Sequence, residues 1–170
     1  KFSPSALDTD FNFIRELIDN NHIPDDVTIQ VLTQSRKELI IKTINSLKGS
    51  KNAIIHLYNS TSTLQRKVVF KEDMAGVKKI ATDGAKIISD NISNLDKTNL
   101  RLEYSPESFT GTELPYALEV CEDVLNIWEA SQANPVIINL PATVEMSSPN
   151  IYADQIEWMS KNFSDRKRIV

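Results

Sequence analysis

Glu103, Ser105 and Glu107 occupy alternate positions in the stretch Arg101 to Glu113, R-L-E-Y-S-P-E-S-F-T-G-T-E. In an extended backbone alternate side chains share one face, so this stretch offers two carboxylates and a hydroxyl together. Burying such groups side by side is costly without partners or a ligand. The plainer alternative is a surface loop running into a helix that Thr112 opens. The same arrangement recurs, however: Gln30 with Gln34, His56 with Tyr58, and Asn139 with Thr143 pair in matched parity at the ends of other apolar runs. His56 interrupts an apolar strand, where ligand contact and a satisfied core histidine are both open. Glu107 among hydroxyls calls for a cation that no nearby residue offers, so part of the site is expected to lie outside these residues.

Several chemistries lack support. Ser60 and Ser105 sit in no nucleophile-elbow sequence, and His22 and His56 are too far apart to form a close-spaced metal-ligand pair. There is no GxGxxG and no phosphate-loop lysine motif. Asp8 and Asp10 read as helix-start acids, His22 as a solvated turn residue, and the single Cys121 as part of an apolar helical stripe.

The elements that must position these groups alternate. Helical periodicity covers about Thr9 to Asp19. A β-branched run, Val27 to Thr33, predicts a strand, and Ser35-Arg36-Lys37-Glu38 has capping-box spacing for a helix that stops near Gly49. Strands are then expected at Ala53–Tyr58, Asn99–Tyr104 and Pro135–Leu140. Their helices follow at about Asp73–Ile92, Leu114–Trp128 and Asn150–Phe163. Four strand-then-helix units predict an α/β fold with a parallel sheet. In a βα barrel the working residues cluster just after the strands, at one mouth, which is where this chain's polar residues fall.

The chain has 170 residues, 19 basic and 23 acidic, for a net charge of −4. No basic footprint for nucleic acid is present. No apolar run approaches membrane-spanning length, so neither nucleic acid nor membrane is an expected partner and the cytoplasm is the expected location. The chain starts without methionine, and both ends look cut from something longer.

Three longer segments are specific enough to carry a resemblance. They are His56-Leu57-Tyr58-Asn59-Ser60-Thr61-Ser62 with Gln65-Arg66 and Val68-Val69-Phe70, Glu103 to Glu113, and Asn139-Leu140-Pro141-Ala142-Thr143-Val144-Glu145-Met146. With Tyr152 to Met159 they resemble the long form of the 2-isopropylmalate synthase family over essentially the whole chain. The resemblance implies a TIM (β/α)8 barrel that condenses acetyl-CoA with 2-oxoisovalerate in leucine biosynthesis. It also implies a divalent metal (Mg, Mn or Zn) that polarises the 2-oxo acid's carbonyl. Carried over by motif, His56 and Thr143 would bind the 2-oxo acid, Thr143 holding its carboxylate, and Ser105 would line the same site. Glu107 would act in catalysis by orienting an arginine of the first strand. Leu32, Tyr58 and Pro141 would shape the isopropyl pocket, where one methylene is worth about 1 to 3 kcal/mol of discrimination.

The family's first-strand arginine-aspartate motif would precede Lys1 and its His-x-His motif would follow Val170, so no metal ligand is expected in this chain. Residues 1–170 would then be the central part of the barrel, from about the exit of strand two to helix six, with no linker or regulatory domain. Near the start, Phe2-Ser3-Pro4-Ser5-Ala6 keeps only the family's Pro-Ser-Ala. Four strands cannot close an eight-stranded barrel, so the isolated chain is expected to self-associate, or to dimerise, and to be inactive. A homocitrate or citramalate synthase of the same fold, or a non-catalytic assembly module, are the alternatives.

Overall fold

The computed structural model describes residues 1–170. Its elements run α1 (Asp8–Asp19), β1 (Ile29–Gln34), α2 (Lys37–Ser46), β2 (Asn52–Ser60) and the single turn α3 (Thr63–Gln65), which passes into a π-helical turn at Arg66–Phe70. They continue with α4 (Met74–Asn91), β3 (Asn99–Glu107), α5 (Leu114–Ile127), β4 (Ile137–Ile138) and α6 (Pro149–Asn162). The strands form one sheet in the order β1-β2-β3-β4, every pair parallel. Parallel bridges from Phe2 to Val31 and from Ile169 to Val136 extend it at both edges. Spatial order follows chain order without reversal, which is the winding of a βα barrel and not of a doubly wound sheet. The chain is thus a partial TIM barrel, as expected.

The two sheet faces differ because alternate residues differ. Val31, Ile55, Leu57 and Tyr104 are fully buried and belong to one hydrophobic core with the helices. Each large apolar side chain so buried contributes about 1.5 to 3 kcal/mol. The helices pack in sequence, α1 on α2, α2 on α4, α4 on α5 and α5 on α6. Cys121 is in this core with its thiol pushed up by burial, consistent with a packing role. On the other face, Leu32, His56 and Glu103 align across three strands, and Gln34, Tyr58 and Ser105 form the next row.

Five local expectations change. β3 continues past Tyr104 to Glu107 because β2 remains opposite it as far as Ser60, so Ser105 and Glu107 belong to a strand and not to a loop. β4 shrinks to two residues: beyond them Asn139 N–H reaches the Tyr104 carbonyl (3.0 Å), and Pro141 has no N–H with which to extend the ladder. Ser35 does not cap α2, whose cap position is Arg36 without a side-chain bond. Its hydroxyl donates instead to the Ile80 carbonyl of α4, where Gly84 leaves room. Thr112 likewise does not cap α5, because its hydroxyl turns back to the Ser108 carbonyl at 3.1 Å. Asp8 and Asp10 lie in the first turn of α1 without capping it; Asp8 pairs with Lys42 and Asp10 accepts from Ser3 N–H.

Candidate functional site

The carboxyl ends of the strands enclose a cavity of about 290 Å³. The seven residues that the resemblance pointed to line it, Leu32, His56, Tyr58, Ser105, Glu107, Pro141 and Thr143, whereas Gln34 lines a neighbouring cavity. Asn139 and Lys1 complete the wall. The alternation of the strands delivers the first five to one side, and the turn after β4 brings Pro141 and Thr143 over them.

At the base of the cavity is a hydrogen-bonded row. His56 Nε2 lies 2.7 Å from Ser105 Oγ, and Asn139 Nδ2 donates to the same oxygen at 2.8 Å. On the other side of the ring, His56 Nδ1 is 3.0 Å from Glu103 Oε1 but out of line for a hydrogen bond. Glu103 also accepts from Gln30 Nε2 and has the Lys1 ammonium 3.6 Å away. Burial drives the His56 pKa down to about 3, with the Lys1 charge adding to the effect. The Glu103 carboxyl is raised by burial, partly offset by Lys1. The imidazole is therefore neutral and serves as a hydrogen-bonding wall, not as a cation.

Glu107 stands between this cavity and a second one of about 460 Å³, the two sharing Glu107 and Tyr58. Burial raises the Glu107 carboxyl, and no basic side chain is paired with it. Its backbone is held closely: its carbonyl accepts from Thr61 N–H at 3.0 Å, and from the hydroxyls of Ser60 (3.3 Å) and Thr61 (3.4 Å). The next residue, Ser108, has φ 57°, a left-handed conformation that few non-glycine residues adopt outside special sites. Ser108 N–H donates to Thr143 Oγ1 at 3.2 Å, so the turn that carries Thr143 is tied to the turn that follows Glu107.

These groups can hold a small molecule with a polar head and an apolar tail. Hydroxyls, an amide and a neutral imidazole line the cavity together with the apolar surfaces of Leu32, Tyr58 and Pro141. They do not fit a metal centre by themselves, since nowhere do three His, Cys, Asp or Glu side chains converge. The expected cation for Glu107 is likewise not among the paired side chains of the cavity. Asn139 and Lys1 are site residues to which the sequence reading gave no role. The parity of Asn139 with Thr143 was the available signal for the first; for Lys1 no motif existed. No helix is long and apolar enough to cross a membrane.

The sequence model of the HMGL-like family matches residues 2–170. Among curated proteins, a 2-isopropylmalate synthase of Parafrankia sp. is 61% identical over 168 residues, covering 98% of this chain and 30% of that protein. One from Arthrobacter sp. is 59% identical over 167 residues, with 98% and 29% covered. One from Clostridium acetobutylicum is 56% identical over 169 residues, with 98% and 30% covered. The chain thus spans about 30% of the length of these relatives.

Proposed function

Because this chain belongs to the HMGL-like family, we propose that it is the central part of the catalytic barrel of a 2-isopropylmalate synthase, an acyltransferase condensing acetyl-CoA with 2-oxoisovalerate. The observation that carries this reading is the mixed polar and apolar lining of the cavity. Ser105, Asn139 and His56 offer neutral hydrogen-bonding groups to a 2-oxo acid, Thr143 takes its carboxylate, and Leu32, Tyr58 and Pro141 receive a branched aliphatic tail. Glu107, raised by burial, orients an arginine contributed by a segment outside residues 1–170. The ligands of the divalent metal belong outside residues 1–170 in the same reading. The bridges at Phe2 and Ile169 support a span from the exit of barrel strand two to helix six and the start of the next strand. A homodimer working in the cytoplasm completes the proposal.

A substrate panel on the full-length protein tests it, with acetyl-CoA-dependent thiol release as the readout. The expected kcat/KM for 2-oxoisovalerate exceeds that for pyruvate and for 2-oxoglutarate by about tenfold or more, the range a pocket of this kind achieves. Preference for pyruvate would move the assignment to a citramalate synthase, and preference for 2-oxoglutarate to a homocitrate synthase.

A further inference from the structure

Arg66 is a buried charge that the cavity does not use. It opens the π-helical turn after β2, a rare geometry that is frequent at functional sites. One arm, Nη1, donates to the Thr61 carbonyl at 2.7 Å. The other, Nη2, pairs with Glu113 Oε1 at 2.7 Å, and the guanidinium lies 4.9 Å over the Tyr116 ring. A buried cation is costly unless so satisfied, and the planar fork of arginine is what permits three partners at once. The result is a clasp joining the exit of β2 to the start of α5.

The residues clasped are those that hold the site. Thr61 N–H donates to the Glu107 carbonyl at 3.0 Å, Thr61 Oγ1 meets Thr112 Oγ1 at 2.9 Å, and Thr112 Oγ1 donates to the Ser108 carbonyl. Ser108 in turn donates its N–H to Thr143 Oγ1. Glu107 and Thr143 are therefore each reached from Arg66 through Thr61 and one short series of hydrogen bonds. We infer that Arg66 is a positioning residue: through Thr61 and Glu113 it fixes the left-handed turn at Ser108, and so sets where Glu107 and Thr143 stand relative to a bound 2-oxo acid. This rests on the function proposed above for its kinetic consequence, though not for its structural one.

The test uses the full-length protein carrying Arg66→Lys, Glu113→Gln, or both. Lysine keeps the charge and loses the fork. Glu113 is partly exposed, so its replacement spares the core. Two readouts are taken. In the first, amide exchange by mass spectrometry across residues 107–112 rises about tenfold in either variant, while exchange in α4 and β2 stays as in the parent. In the second, KM for the 2-oxo acid rises about tenfold, with KM for acetyl-CoA and the thermal midpoint little changed. The double variant is no worse than Arg66→Lys alone, as expected of two members of one network. Unchanged exchange at 107–112 in both variants overturns the inference. So does a loss confined to the midpoint and the active fraction with KM intact, which would make Arg66 a structural staple only. If the full-length protein turns over none of the 2-oxo acids, the functional reading fails, and the clasp is then judged by the exchange readout alone.

Discussion

His56 Nε2 and Ser105 Oγ stand 2.7 Å apart on adjacent parallel strands, and Asn139 fills a second position on the same oxygen. With Asn139 donating, the Ser105 oxygen keeps one proton and one lone pair, so it can bond Nε2 of either neutral tautomer of the ring. One serine thereby holds both the histidine ring and the asparagine side chain in place. It does so from the second row of a sheet whose reverse side is packed core.

Replacing Ser105 with alanine removes the shared oxygen and leaves His56 Nε2 and Asn139 Nδ2 without their partner. The expected cost is about 1 to 3 kcal/mol. It is read as a lower denaturation midpoint at unchanged slope. A loss below about 0.5 kcal/mol would mean that water restores the row.

His56 also gives a pH prediction. Its folded pKa of about 3 lies below the ordinary value of about 6.5. Between the two, the unfolded chain binds a proton that the folded chain does not, so stability falls as pH drops from 6.5 toward 3, by up to about 1.4 kcal/mol per pH unit. Glu103 and Glu107, raised by burial, act oppositely, their contribution being lost as pH rises through their elevated values. Comparison with His56→Gln isolates the histidine: the parent should lose stability more steeply between about pH 6 and 4.5. Equal slopes would show that His56 charges while folded, taking Glu103 as its counter-ion.

Gly84 marks a close approach of α4 to the exit of β1. A Cβ there would overlap Ser35 Oγ, whose hydroxyl is committed to the Ile80 carbonyl. Gly84→Ala should therefore destabilise by about 1 to 3 kcal/mol through overpacking, despite alanine's better helix propensity. The double variant Gly84→Ala with Ser35→Gly should recover much of the loss in thermal denaturation. Additive losses in the double variant would remove the clash as the cause.

Tyr58, with Glu107, lines both the 290 Å³ cavity and the 460 Å³ one. On the function proposed above, Tyr58→Ala in the full-length protein should widen the passage between them and shift preference toward 2-oxo acids with longer tails, by roughly 10- to 100-fold in the kcat/KM ratio. An unaltered ratio would show that another wall sets tail length.

Much of this molecule was legible along the chain. The four strand-then-helix units announced a parallel sheet, and parity at the ends of the apolar runs grouped His56 with Tyr58 and Ser105 with Glu107. The segments around His56, Glu103–Glu113 and Asn139–Met146 marked the family. What misled were short-range signals with long-range competitors. Ser35 and Thr112 have the chemistry of helix caps, but the Ile80 carbonyl on α4 and the Ser108 carbonyl took their hydroxyls.

The sequence by itself determined the βα repeat and the parallel pairing it requires, because these depend on periodicity, while the seven cavity residues followed from the resemblance of its longer segments to a known family. Tertiary structure alone decided that those residues share one cavity, that Ser105 sits between His56 and Asn139, and that Arg66 clasps Thr61 to Glu113. The two bonds at Ser105 and the Arg66–Glu113 pair join residues 34 to 49 positions apart. Their distance is fixed by strand register and helix packing, which no local pattern of side chains encodes.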